Sequence, residues 1–139
     1  MSSVLSADPV LQQVDRGFED SLGRLCDLLR IPSVSTDPAY KGDVRRAADW
    51  LVRELSGLGF DASVRETAGH PAVVAHHPGP GGADVPHILY YGHYDVQPAE
   101  PLELWNSPPF EPAIVEAEHG RRIVARGAVD DKGQVMTFI

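Results

Sequence analysis

The sequence is poor in residues that mark several common classes of protein. It has one cysteine in 139 residues, so no disulfide can form within the chain. Only Lys41 and Lys132 are lysines, and 12 basic residues stand against 20 acidic ones, which gives a net charge of −8. Because the few cations are spread along the chain, we expect neither nucleic acid nor a membrane as a partner.

Long hydrophobic runs are also missing. No stretch reaches the roughly 18 apolar residues of a membrane span, and the N-terminus, MSSVLSADPV, lacks the features of a secretory signal. We therefore expect a cytoplasmic protein. The length and the 42% hydrophobic content suffice for one domain. Cys26 lies among leucines at helical spacing, which predicts a small buried side chain rather than a reactive thiol.

Two amphipathic helices are predicted in the first sixty residues. Asp8 is expected to cap the first helix, with Pro9 at the first helical position, and Pro32 ends it. A second apolar stripe covers residues 44–58. The segment between them, which includes Ser33 and Ser35, is interpreted as a loop, because neither serine lies in a nucleophile motif.

Strands are predicted after the second helix. FDASVRE, PAVVAHH and HILYYGH are short runs rich in valine, isoleucine and tyrosine. The third is apolar enough to be buried on both faces of a sheet. PGPGGADVP, residues 78–86, is predicted to be a turn, and without a following Gly-Lys-Ser/Thr it does not indicate a phosphate loop.

The last third of the chain combines a loop, a hairpin and a helix. Residues 97–112 carry five prolines and predict a surface loop, in which Trp105 and Phe110 anchor the loop to the core. A hairpin is expected around residues 118–120, and a third helix after an aspartate cap. This helix has no stop signal before Ile139, so the chain is expected to be part of a longer one.

One candidate site follows the apolar run HILYY, in the stretch YGHYDVQP. Residues two apart in extended chain point the same way, so His93 and Asp95 would project together into the crevice beyond the strand end. A metal-bound imidazole usually donates its other N–H to a carboxylate. The alternative is two polar residues exposed at a strand end.

The second candidate site is ARGAVDDKGQ, where a predicted strand turns into a helix. A carboxylate at such a junction can bridge two divalent ions, which lower the pKa of a shared water for attack on a carbonyl. Asp130 and Asp131 can equally be a helix cap and a charge that favours the helix dipole. Lys132 is interpreted as offsetting the acid pair.

Together, GHYDVQP and RGAVDDKGQ closely resemble the two N-terminal metal-site motifs of the M20 metallopeptidases, the group of dipeptidases, carnosinases and aminoacylases. LLRIPSVST and WNSPPFEP match the family in the same order. The resemblance implies an α/β fold, namely the N-terminal part of a mixed-sheet, zinc-exopeptidase-like catalytic domain with flanking helices. Residues 1–139 would be an incomplete portion, without the lid or dimerisation domain and the C-terminal half.

The resemblance also implies roles for particular residues. His93 matches a metal ligand, Asp95 matches the acid that holds its imidazole and counts as catalytic, and Asp130 matches the aspartate that bridges two metals. Asp131 follows that bridge and often follows a cis peptide in the family. The implied cofactors are two divalent ions, with zinc preferred over manganese or cobalt.

The implied activity is hydrolysis of the amide bond of dipeptides or N-acyl amino acids by a metal-activated water, in a full-length protein that is a homodimer. The 139 residues alone are expected to be inactive, because the general base and other ligands are missing. The alternatives are a short non-catalytic binding module and a deacylase or desuccinylase of the family. His76 and His77 point to opposite faces of a strand, and His70, His87 and His119 are expected to be solvated.

Overall fold

The structure is a computed structural model that describes residues 6–79, 81 and 85–139. It contains helices α1 (Asp8–Leu29), α2 (Lys41–Gly57) and α3 (Lys132–Phe138), strands β1 (Asp61–Arg65), β2 (Ala72–His76), β3 (Ala113–Ala117) and β4 (Gly120–Val124), and short 3-10 helices at Pro38–Tyr40 and Leu102–Leu104. In this described part, no helix is long and apolar enough to cross a membrane.

Both predicted N-terminal helices are present, but the start of α1 differs by one residue. Ala7, not Asp8, is the N-cap residue, and Asp8 is the first helical residue. The backbone amide of Asp8 donates to Ser6 Oγ at 3.1 Å, and the N-cap residue itself makes no side-chain capping hydrogen bond. α1 ends at Leu29, before Pro32 as predicted.

Two antiparallel hairpins follow the predicted strand segments. β1 pairs with β2 so that Asp61 lies opposite His76, and α2 packs on both strands. β3 pairs with β4 so that Ala117 lies opposite Gly120, as the predicted turn requires. The turn predicted over residues 78–86 lies partly outside the described residues.

The strand predicted over HILYYGH is wrong. Ile88 is 90% exposed and Leu89 is 94% exposed, and no described residue pairs with residues 87–91 in a ladder. The nearest pairing is a single parallel bridge between Val34 and Val96. A strand buried on both faces needs neighbours on both sides, and an apolar run does not reveal whether the described chain supplies them.

The proline-rich segment is mainly a surface loop, as predicted, apart from the 3-10 turn at Leu102–Leu104. The Glu100–Pro101 peptide bond is cis. Trp105 anchors the loop by donating from Nε1 to the carbonyl oxygen of Ala99 at 2.8 Å, and the Arg126 guanidinium lies 5.3 Å from the centre of its ring.

The hydrophobic core lies where the end of α1 meets α2 and α3. Its buried members are Leu28, Ile31, Ala47, Leu51, Val135 and Met136. Cys26 is buried beside them, as predicted, and burial raises the pKa of its thiol. The core therefore joins the N-terminal helices to residues more than eighty positions later in the sequence. This packing holds the first residues of α3 against α1 and α2.

Lys132 is fully buried and bonds backbone carbonyls, so its interpretation as a residue that merely offsets the acid pair Asp130 and Asp131 is wrong. Its Nζ donates to the carbonyl oxygens of Leu28 at 3.0 Å and Ile31 at 2.7 Å, at the end of α1. Burial lowers the pKa of Lys132 to about 7, although the charge of Asp95 opposes this effect. Two carbonyl acceptors match the two N–H donors of a neutral amine.

We predict that the protein becomes more stable between pH 7 and pH 9. Above pH 7 the folded state holds Lys132 neutral, whereas the unfolded chain still binds its proton up to the ordinary lysine pKa of 10.5. The free energy of unfolding should therefore rise with pH, by at most about 1.4 kcal/mol per pH unit from this group. Urea titrations at several pH values measure this slope, which should be smaller in Lys132→Met because the contribution of this group is lost. An equal slope in both proteins would contradict the prediction.

Candidate metal centre

The loops that carry the two predicted motifs meet at His93 and Asp130. His93 Nε2 lies 3.0 Å from Asp130 Oδ1. The His93 side chain is 39% exposed and that of Asp130 is 77% exposed, so the pair faces solvent. The side chains therefore converge as the sequence predicted, and an ion can reach both.

Asp95 lies on the other side of the same imidazole. His93 Nδ1 is 3.1 Å from the Asp95 carbonyl oxygen and 3.2 Å from its carboxylate Oδ1. Carbonyl and carboxylate oxygens can only accept, so in this geometry both ring nitrogens of His93 donate, Nδ1 to Asp95 and Nε2 to Asp130, and a bound ion would replace the Nε2 proton. Burial lowers the pKa of His93, but its hydrogen bonds and the charges of Asp95 and Asp130 outweigh this and raise the pKa.

Asp131 joins the two loops in a way that the sequence did not predict. Its Oδ2 accepts a hydrogen bond of 3.0 Å from the backbone amide of His93. Asp131 is the N-cap residue of α3, yet its side chain makes no capping hydrogen bond. The Asp130–Asp131 peptide bond is cis, as the family resemblance implied. The second acid of the motif thus holds the backbone of the predicted ligand.

Gly92 permits the close approach of these loops. A Cβ at this position would lie 2.7 Å from Val135 Cγ2 and 3.1 Å from Asp131 Oδ2. At Gly127, with φ of +84°, a Cβ would lie 2.7 Å from Val96 Cγ1. Both contacts are too short for a side chain, so glycine is needed where each loop passes the other elements.

The donor pair fits a divalent transition metal in chemistry and spacing. Imidazole nitrogen and carboxylate oxygen both bind zinc at 2.0 to 2.2 Å, which places two ligands of one ion about 3 to 3.5 Å apart. However, residues 6–79, 81 and 85–139 contain no group of three or more His, Cys, Asp or Glu placed to hold a metal. His93 and Asp130 are therefore two candidate ligands, which is fewer than a zinc ion takes from a protein.

Ser33 and Ser35, interpreted from sequence as loop residues without a role, contact the HYDV segment. Ser33 Oγ donates to the Tyr94 carbonyl oxygen at 2.6 Å, and Ser35 Oγ donates to Asp95 Oδ2 at 2.5 Å. The Val96 amide donates to the Ser33 carbonyl oxygen at 2.9 Å. The match of the segment IPSVS to the family, noted above, was the one feature of the sequence that pointed to a role for these serines.

The remaining histidines lie apart from this centre. His70 is half-buried, so the expectation that it is solvated is wrong: its Nε2 lies 2.7 Å from the Ser35 carbonyl oxygen. The ring of His76 lies 6.0 Å from that of His87, and His77 Nδ1 accepts from the amide of Gly79. These contacts are made with neighbouring backbone or with each other, and none of them brings a second imidazole to His93.

Residues 89–139 match the model of peptidase family M20/M25/M40. This part of the chain is therefore similar to the family. It is 31% identical to the Cys-Gly metallodipeptidase dug1 of Schizosaccharomyces pombe over 146 residues, which cover 97% of this chain and 29% of that protein. It is 32% identical to a succinyl-diaminopimelate desuccinylase of Aromatoleum aromaticum over 114 residues, which cover 82% of this chain and 26% of that protein.

The fold agrees with this similarity. The structure of the di-peptidase Dug1p from Saccharomyces cerevisiae matches 96% of the chain with a TM-score of 0.81 and 28% identity, and human carnosine dipeptidase 1 matches the same share with a TM-score of 0.80 and 22% identity. The chain covers 29% and 30% of these structures. The expected fold, part of an M20 dipeptidase catalytic domain, is confirmed, and the family is one of enzymes that use divalent metal.

We predict that Gly92→Ala destabilises the protein, because its Cβ would overlap Val135 and press on the Asp131 carboxylate. The free energy of unfolding should fall by about 1 to 3 kcal/mol. The matched control is Gly23→Ala in α1, where no described atom lies within 4 Å of the new Cβ. Alanine there should stabilise the helix by roughly 0.5 to 1 kcal/mol. Equal stability of Gly92→Ala and wild type in urea titrations would show that the loops do not meet this closely.

Proposed function

We propose that the protein is a metal-dependent hydrolase that cleaves the amide bond of dipeptides or N-acyl amino acids. The observation that carries the proposal is the imidazole and carboxylate of His93 and Asp130, 3.0 Å apart in a chain that is similar to the M20 family. If Asp130 served only as a helix cap, it would need neither a histidine beside it nor exposure to solvent. The bound ion would supply Lewis acidity, which polarises the substrate carbonyl and lowers the pKa of water.

Each residue of the centre has a separate role in this proposal. His93 and Asp130 would hold the divalent ions, for which zinc is preferred, and Asp130 would be shared between two of them. Asp95 keeps the Nδ1 proton of His93 in place, so that Nε2 is the nitrogen that would bind the ion, and in this sense we infer that Asp95 serves catalysis. Asp131 holds the His93 backbone without contacting the ion.

A dipeptide is the preferred substrate class. The relatives named as Cys-Gly metallodipeptidases align with nearly the whole chain. A desuccinylase is the second candidate, because the relative with that name is equally similar in sequence. Parallel assays with dipeptides and N-succinyl amino acids distinguish the two.

We infer that residues 1–139 are the N-terminal portion of a catalytic domain and are inactive alone. The chain spans about 30% of the length of its curated relatives, and two protein ligands are fewer than the three of a catalytic zinc site. The reading frame beyond Ile139 tests this inference. An open frame that encodes a pair of adjacent glutamates supports it, whereas a stop codon at that point favours a short binding module.

The assembly and compartment belong to the same proposal. We infer that the complete protein, meaning the product of its whole reading frame, is a cytoplasmic homodimer. Cell fractionation and light scattering of the purified protein measure these two properties directly, and a monomer would exclude the dimer.

We predict that the complete protein hydrolyses a Cys-Gly dipeptide and loses this activity with a chelator. Added zinc should restore it. His93→Ala should lower kcat/KM by at least about 100-fold, because it removes a ligand of the ion. His119→Ala is the control, since His119 is exposed in the turn between β3 and β4. Full activity of His93→Ala, or activity that survives metal removal, would refute the proposed function.

A further inference from the structure

Asp95 has two carboxylate oxygens, and each faces a different partner. Oδ1 lies 3.2 Å from His93 Nδ1, and Oδ2 accepts a hydrogen bond of 2.5 Å from Ser35 Oγ. A carboxylate can rotate about its bond to Cβ, which is a soft torsion. A donor on Oδ2 fixes this rotation and leaves Oδ1 directed at the imidazole.

Ser35 is itself held firmly enough to act as such a donor. The preceding residues are tied to the HYDV segment by the bridge between Val34 and Val96 and by the hydrogen bond from Ser33 to the Tyr94 carbonyl. On the other side, His70 Nε2 donates to the Ser35 carbonyl oxygen at 2.7 Å. Both Ser33 and Val34 are buried. The hydroxyl of Ser35 therefore sits on a fixed backbone.

We propose that Ser35 is a positioning residue for the metal centre, acting through Asp95 on the ring of His93. This inference rests on the proposed function. Ser35 contacts neither the ion nor the substrate; it fixes the carboxylate that fixes the imidazole. Groups that orient a metal-binding histidine typically contribute 10- to 100-fold to metal affinity.

The test measures the affinity of the complete protein for Zn²⁺ by competition with a chelating dye. Ser35→Ala should bind Zn²⁺ about 10-fold or more weakly, and Ser35→Thr, which keeps the hydroxyl, should restore affinity to within about twofold. Thr36→Ala is the matched control, because it removes a hydroxyl from the exposed neighbouring residue. Equal affinity of Ser35→Ala and wild type, or a failure of Ser35→Thr to restore binding, would overturn the proposal.

A double-mutant cycle separates positioning from a general effect on folding. If Ser35 acts through Asp95, then in an Asp95→Ala background the additional change Ser35→Ala should alter Zn²⁺ affinity by less than about twofold. A further loss as large as in wild type would show that Ser35 acts by another route and would overturn the proposal. Thermal unfolding of all variants gives the stability loss to compare with the loss of affinity.

Crystal structures of the metal-free protein distinguish failure of this inference from failure of the proposed function. In Ser35→Ala the Asp95 carboxylate should rotate, so that the separation between Oδ1 and Nδ1 increases from 3.2 Å or the side chain takes two conformers. An unchanged carboxylate would overturn the inference. A wild-type protein that binds no Zn²⁺ would refute the proposed function, and the rotation would then decide whether Ser35 positions Asp95.

Discussion

The hydrogen bond from the backbone amide of His93 to the carboxylate of Asp131 joins loops that are 38 residues apart in sequence. The neighbouring side-chain pair does not hold them together by itself. An imidazole and a carboxylate that are 39% and 77% exposed contribute at most about 1 kcal/mol. The Asp131 bond is reinforced by tight packing of Gly92 on Val135, which belongs to the core. The two candidate ligands are thus close together because backbone contacts hold their loops side by side.

The same placement is supported from the N-terminal side of the chain. Lys132, two residues after Asp130, reaches into the core and donates to the carbonyl oxygens of Leu28, in the last turn of α1, and of Ile31, just after that helix. Beyond the end of α1, Ser33 and Ser35 bond the segment that carries His93 and Asp95. The end of the first helix and the loop after it therefore hold in place the two segments that carry the candidate ligands. Neither the helix nor the loop contributes a ligand itself.

The candidate ligands could be predicted from the sequence more completely than the residues that support them. His93 and Asp130 could be placed together because each lies in a recognisable motif, and the two motifs occur in the order that the M20 family shows. The partners of Lys132 are about one hundred residues away, and Ser35 lies 60 residues from Asp95. No periodicity within a segment reports such contacts. For the same reason His70, whose partner is the backbone of Ser35, was expected to be solvated.

Local rules also fail where a side chain has a better partner at a distance. Asp131 occupies the N-cap position that the sequence suggested, but its carboxylate bonds the His93 amide instead of its own helix. The run HILYY has the composition of a central strand, yet its pairing depends on neighbours that composition does not encode.

The exposed stretch from Ile88 to Tyr91 has a practical consequence. Ile88, Leu89 and Tyr91 leave at least 84% of their surface in water, and Tyr90 stacks on Phe138 with the ring centres 4.0 Å apart. A backbone segment that has no strand partner and carries exposed aliphatic side chains favours pairing between separate molecules. We expect the 139-residue chain to form oligomers whose size grows with concentration and to be poorly soluble at high salt, where apolar association is strengthened.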